Sequence, residues 1–371
     1  MIKQRTTSIE LMRFIAAIGV MTIHFGSIYL GGDRLYAPFA YVFVEFFLIL
    51  AGFFMMRHID TREEPLPVFD YIGHKIKGFY AIFIVAFAAQ FILFVMTNGV
   101  TGVGGYLHAL FHFKWEALLL QCSGSIKDPA FNIDYLMGQD WYLSAMVLAL
   151  VFIYPLARNY RKFYTSFLAP VTAILFYALI VQHYGTLDVG SEYLGVISMS
   201  IIRGMAGVSL GSLCYLGFEK MKQWQPEAGV LRGLSCLEIF CWIAALFLLS
   251  PFPYTTDEDV LIYVLLFSVV MILGFWNRTL LAGWLNSHGR RLLTWMGKLS
   301  LYLYLFHWTV MTAMNIWMPG LDAVLALPLY YGITLGVSVL GMLVDSRRKN
   351  AFPVILVVLV CLVVALLCAV H

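Results

Sequence analysis

Apolar runs of about twenty residues recur from one end of the sequence to the other, and that is the length a helix needs to cross a bilayer's hydrocarbon core. Eleven such runs stand out: 8–30, 36–56, 73–96, 139–157, 163–183, 195–217, 233–251, 259–276, 296–318, 323–344 and 351–370. Only 12% of the 371 residues are charged, about half of what a soluble chain carries, and the mean hydropathy is +0.83. The expected fold is an all-α, polytopic membrane helix bundle of about 10–11 transmembrane helices. It reads as a single domain over 1–371, with no attached soluble domain, convincing internal repeat or low-complexity tract.

Lysine and arginine placement orients the bundle. With the N-terminus cytoplasmic, all but five of the 24 basic residues fall in cytoplasmic segments. The exceptions are Arg34, Lys114 and Lys127 outside, and Arg13 and Arg203 within spans. The alternation stays regular along the chain, so a net charge of +3 reflects topology and not nucleic-acid binding. The first span lacks a small-residue cleavage site and is expected to be retained. The six cysteines form no CxxC pair and imply neither a disulfide framework nor a metal site. The long outer segment 97–138 is expected to hold an interfacial or re-entrant helix. There His108, His112 and Glu116 stand at i, i+4, i+8, but one helix holds the first and third about 12 Å apart, which excludes a shared ion.

Ionisable groups inside spans are costly and usually face a partner in the bundle interior. Arg13 and His24 lie in the first span, eleven residues apart, so they return to within about 20° of one helix face, about 16 Å along the axis. Glu10, Glu45, Arg203 and His307 join them, with Asp140 and Trp141 at the outer start of another span. Each has a structural reading beside a functional one. Glu10 would close a capping box with Thr7; Arg13 would snorkel to the interface; His24 would be a neutral ring with one satisfied bond. Glu45 would pair with Arg203, and His307 would satisfy a neighbouring polar group.

Four stretches, in order, resemble the acyltransferase-3 family of integral-membrane acyl-CoA-dependent O-acyltransferases. They are the IELMR entry with Arg13 and, ten residues between, His24; VEFFLILAGFF at 44–54; WYL at 141–143; and LSLYLYLFHW at 299–308, which puts His307 on the family's late histidine. The likeness covers about 8–345 and leaves the C-terminal span 351–370 outside. Two departures accompany it. HKIKGFYA keeps Lys75 and Lys77 of the family's basic cluster but has Gly78 and Ala81 where arginine and proline are usual. Ala51 replaces the family serine, so no nucleophile is assigned there.

The resemblance implies transfer of an acyl group, acetyl above all, from acetyl-CoA to a hydroxyl of a cell-surface glycan, polysaccharide or lipid-linked sugar. It also implies a bacterial-type inner or plasma membrane and no metal. The chemistry suits these residues. Histidine is the side chain poised near neutral pH to take a hydroxyl proton, which gives His24 the role of general base, with Glu45 orienting it or the acceptor. Arg13, Arg57, Lys75 and Lys77 at the inner end would hold the donor's phosphates. Glu116, Asp140, Trp141, Tyr142, Arg203 and His307 would bind the acceptor. The rival is a proton-coupled transporter or a flippase of a lipid-linked sugar, with His24, Glu45, Arg203 and His307 as a relay.

Overall fold

A computed structural model of the chain describes residues 6–31, 36–123, 135–251 and 259–346. The expected eleventh span, 351–370, lies outside the described residues, as do Lys3, Arg5, Arg34, Lys127, Arg347, Arg348 and Lys349. The long helices are α1 (Thr7–His24), α2 (Phe43–Asp60), α4 (Tyr80–Thr97), α7 (Trp141–Asn159), α9 (Ala169–Tyr184), α10 (Met199–Met221), α11 (Ala228–Phe247), α12 (Val260–Trp276), α14 (Arg290–Trp317) and α15 (Ala323–Ser346). Shorter helices join them: α3 (Val68–Lys77), α5 (Gly102–His112), α6 (Lys114–Ala117), α8 (Arg161–Phe163) and α13 (Leu280–His288). A two-residue antiparallel hairpin, Tyr193–Leu194 with Ile197–Ser198, is the sheet among the described residues. In lipid a backbone must satisfy its own polar groups, so helix everywhere is the physical expectation.

Eight helical stretches among the described residues are long and apolar enough to cross a membrane, and nine if α12 and α13, bent by 62°, count together. The bend follows from Asn277, which ends α12 at φ +58°, and from Thr279, whose side chain accepts the Ala282 N–H and starts a new helix. The 28-residue α14 carries more polar side chains and runs through the middle of the bundle between α1, α4 and α15.

Two elements begin differently from the sequence reading. The third span, expected over 73–96, is broken at Gly78 and Phe79, so Lys75 and Lys77 sit on the separate amphipathic α3. That helix buries Tyr71 and Ile72, half-buries Lys75 and turns Asp70 and Lys77 outward. The capping box is also replaced: the Thr7 hydroxyl bonds Asn286 (2.8 Å), and the Glu10 carboxylate pairs with Arg13 (3.2 Å) while packing on Gly297 of α14. The helix expected within 97–138 forms as α5, with Val103, Leu107, Leu110 and Phe111 exposed along it. It ends at Phe113, so His108, His112 and Glu116 share no continuous helix.

Contacts between helix ends fix their directions. Thr7 meets Asn286, Ile9 meets Gly274 and Glu10 meets Gly297, whereas Thr22 bonds Tyr331 and Tyr302 bonds Asp345 (2.7 Å). Hence α1 and α14 run one way, and α2, α7, α10, α12 and α15 the other. The most extensive packing is α10 on α2. Here GMAGVSLG places Gly207 and Gly211 one turn apart, and Gly52 of α2 answers from the other side. Small residues at this spacing let membrane helices approach backbone to backbone.

A Cβ at Gly211 would lie 2.7 Å from the Ile49 carbonyl carbon and 2.9 Å from the Phe53 nitrogen. Gly211→Ala is therefore expected to destabilise the bundle by about 1–3 kcal/mol, the usual cost of overpacking. The readout is the thermal unfolding midpoint in detergent. Gly283→Ala on α13, where nothing lies within 4 Å, is the control and should not lower it. Equal midpoints for wild type and Gly211→Ala would show that the crossing has room.

Candidate active site

Two cavities, each of about 240 Å³, lie one above the other along the bundle and share four wall helices, α1, α2, α7 and α14. The first holds His24, Ser27 and Ile28 at the end of the first span, with Tyr41, Val44, Gln139, Trp141, Asp188, Arg203 and Trp308 around them. The second holds Arg13, with Phe47, Leu50, Ala51 and Phe54 of α2, Tyr142 and Met146 of α7, Ser300 of α14, and Lys75. Because α1 is unbroken from Thr7 to His24, the eleven-residue spacing survives, and one helix face presents arginine to one cavity and histidine to the other. Tyr304 of α14 lines both.

His24 closes α1 and is followed at once by a π-helical turn, Phe25–Tyr29, a widening frequent at functional sites. That turn brings Ser27 and Ile28 to the cavity, while Phe25 stacks on Tyr330 and the Tyr29 hydroxyl donates to the Met318 carbonyl (2.6 Å). The His24 Nδ1 lies 2.8 Å from Nε2 of His307, and the two rings are nearly parallel at 5°. Trp308 meets His24 edge-on at 5.3 Å.

Hydrogen-bond partners assign the protons. His307 Nδ1 faces two main-chain carbonyls, Tyr304 at 2.7 Å and Leu303 at 3.2 Å, and a carbonyl only accepts. His307 Nδ1 therefore carries its hydrogen, and its Nε2 in the neutral ring accepts. His24 Nδ1 must then donate, which leaves the His24 Nε2 lone pair free of that pair. His307 is fully buried and stands behind His24, not on the cavity wall.

Glu45 stands with Arg203. One carboxylate oxygen accepts from Arg203 Nε and the other from the Tyr177 hydroxyl, and both charged side chains are fully buried. The rest of the guanidinium donates to the carbonyls of Tyr41 (3.1 Å) and Val189 (3.4 Å) and lies 4.9 Å from the Trp141 ring centroid. Glu45 thus orients Arg203 and Trp141 on the cavity wall. In the other cavity Arg13 is held by Glu10, and the Lys75 ammonium lies over the rings of Phe54 (5.7 Å) and Tyr71 (5.8 Å). Lys77 is exposed, and neither it nor Arg57 lines either cavity.

Of the expected acceptor group, Trp141 and Arg203 line the first cavity, whereas Tyr142, Asp140, Glu116 and the already described His307 do not. Tyr142 faces the Arg13 cavity. Asp140 is fully buried, with no hydrogen-bond partner on either carboxylate oxygen among the described residues. Glu116 is buried as well and accepts the Leu136 (2.6 Å) and Met137 (2.7 Å) N–H groups, fastening the chain that leads into α7. Burial pushes the Glu116 carboxyl up to about 8, against the pull of those two backbone bonds.

Sequence reasoning had not singled out Tyr304, Trp308, Gly138 or Asp188. Tyr304 carried a usable signal, since it lies one turn before His307 on the same helix face. Gly138 had none: its lack of a side chain makes room for the Trp308 ring, which no local pattern announces.

Compared with known protein families, the chain matches the family model described as an acyltransferase domain over residues 6–370, which includes the stretch beyond residue 345. No curated protein and no solved structure matches it.

Glu116 makes stability depend on pH. Between its ordinary value of 4.5 and about 8, the folded chain keeps a proton that the unfolded chain has lost. The contribution is complete below the lower value and is lost as pH rises towards the upper one. The thermal midpoint in detergent should therefore fall between pH 5 and 8, and Glu116→Gln should flatten that slope. An equal slope in both proteins would remove Glu116 as its source.

Proposed function

This chain belongs to the acyltransferase-3 family and is a membrane acyltransferase, and on that premise we propose that it moves an acetyl group from acetyl-CoA to a hydroxyl of a cell-surface glycan or lipid-linked sugar, with His24 as general base. One observation carries the reading: a histidine whose Nε2 is left outside the pair with His307 lies in one cavity, in line along a single helix face with an arginine in the next, where Lys75 of α3 joins it.

The Arg13 cavity lies at the end of the bundle where Arg57, Arg158, Arg161, Arg290 and Arg291 gather, the cytoplasmic end by the positive-inside rule. A donor made in the cytoplasm enters there, its phosphates against Arg13 and Lys75 and its narrow arm directed along α1. About 16 Å separates Arg13 from His24 on a straight helix, the reach of a pantetheine arm. The acceptor enters from the opposite end and meets Trp141, Asp188 and Arg203.

His24 Nε2 takes the proton of the acceptor hydroxyl as its oxygen attacks the thioester carbonyl. The tetrahedral centre then collapses, the carbon–sulfur bond breaks, and the imidazolium returns the proton to the departing CoA thiolate. No net proton is consumed. His307 holds the tautomer and ring plane that keep Nε2 on the cavity side, and it shares the positive charge formed in the step. Base catalysis is favoured over an acyl-imidazole because donor and acceptor come from opposite ends and occupy the site together.

The test is release of free thiol from acetyl-CoA by the purified protein in nanodiscs, with and without a polysaccharide acceptor. Acceptor-dependent release is expected, and His24→Ala should reduce it by about 10²–10⁴-fold. His307→Ala should lower kcat while leaving acceptor KM close to wild type. Movement of a labelled sugar across the membrane with no thiol released would overturn the reading in favour of transport. Acetyl label retained on wild type without acceptor, and absent from His24→Ala, would replace the base with a nucleophile.

The donor end is tested separately. Loss of charged hydrogen bonds costs about 1.5–3 kcal/mol, so Arg13→Ala should raise the KM for acetyl-CoA by about 10- to 150-fold with kcat nearly unchanged. An unaltered KM would leave Arg13 as a partner of Glu10 alone.

A further inference from the structure

We propose that Tyr304 is the residue that sets donor chain length, a partition between the two cavities that passes a short acyl group and excludes a long one. The inference rests on the reading that the donor occupies the Arg13 cavity and presents its thioester to His24. Three of the helices shared by the two cavities change residue between them: Arg13 to Val20 on α1, Phe47 to Val44 on α2, and Tyr142 to Trp141 on α7. On α14 there is no change of residue, because Tyr304 lines both cavities itself.

That side chain is held in place. Its hydroxyl donates to the Gln139 carbonyl at 2.5 Å, and its ring stands edge-on to Tyr142, with centroids 5.8 Å apart and planes at 78°. Tyr142 is itself packed against Phe47 at 6.0 Å. The main chain of the same residue accepts the His307 Nδ1 hydrogen, so backbone and side chain of Tyr304 serve the base and the partition together. Tyr304 is only 6% exposed, and swinging it aside breaks a buried hydrogen bond.

In a thioester the acyl group leads the sulfur, so every carbon added to it must pass Tyr304 first. Beyond lies the His24 cavity, which the acceptor must share and whose wall includes Gln139, Asp188 and Arg203. An acetyl group uses little of this space. A long alkyl chain fills it, faces polar groups that it cannot satisfy, and displaces the acceptor hydroxyl.

The experiment compares acetyl-, butyryl- and octanoyl-CoA in acceptor-dependent thiol release by wild type, Tyr304→Phe, Tyr304→Leu and Tyr304→Ala in nanodiscs. Wild type should prefer acetyl over octanoyl by about 100-fold in kcat/KM, and Tyr304→Phe, which keeps the ring, should preserve the order. Tyr304→Ala should bring the two donors to within about tenfold, chiefly by gaining octanoyl transfer. Tyr304→Leu should shift the same way by less, and it supplies the test if the alanine variant does not elute as a monodisperse folded protein. Octanoyl and acetyl used equally by wild type, or all donors reduced by one common factor in the variants, would overturn the filter while leaving the acyltransferase reading intact. Absence of thiol release with every donor in wild type would overturn the donor reading, and the filter with it.

Discussion

The bundle is organised around one fully buried charge pair. Arg203 of α10 and Glu45 of α2 meet with neither side chain exposed, and desolvating two charges is costly unless every donor and acceptor finds a partner. The partners come from all sides: the Tyr177 hydroxyl of α9, the carbonyls of Tyr41 and Val189, and the Trp141 face of α7. One guanidinium thereby fastens three helices and two connecting segments. The geometry also explains the glycines on either side, since the pair can close only if α2 and α10 approach as nearly as Gly52, Gly207 and Gly211 permit.

That fastening sets the shape of the His24 cavity. Arg203 and Trp141 form its far wall, and the near wall is the end of α1, where the π-helical turn after His24 opens the helix. The histidine pair selects one of the two neutral tautomers of the His24 ring. With His307 fixed from behind by a main-chain carbonyl, the pairing nitrogen of His24 is Nδ1, and Nε2 is the one left outside the pair. An electrostatic device of this kind suits a membrane interior, where a misplaced proton has no solvent to correct it.

The contrast between the two cavities along the axis follows from the same helices. Polar and aromatic groups surround His24, whereas the Arg13 cavity is mostly apolar with cations near its mouth. Glu116 and Asp140 lie outside both cavities, and Glu116 secures the segment that carries Gln139 and Trp141 into α7. Their expected contact with sugar becomes, in the fold, support for residues that do line the site.

Hydropathy by itself determined the all-α membrane architecture, because a span must be about twenty apolar residues long whatever it packs against. It placed a helix at each of the ten expected spans within the described residues. Helical periodicity likewise determined that Arg13 and His24 share a face, since nothing interrupts α1 between them. The break at Gly78 was hidden, as the apolar stretch runs past it and only the amphipathic packing of α3 reveals the turn. Only the tertiary structure decided which buried charges meet. Glu45 had two candidate partners in the sequence, His24 and Arg203, and 158 residues separate it from the one it bonds. His24 and His307 are 283 residues apart, and their pairing depends on α1 and α14 lying side by side. Periodicity reports on one helix at a time. Which faces are brought together is settled by how closely whole helices can pack, through small residues such as Gly211 and Gly297 whose contacts no local pattern encodes.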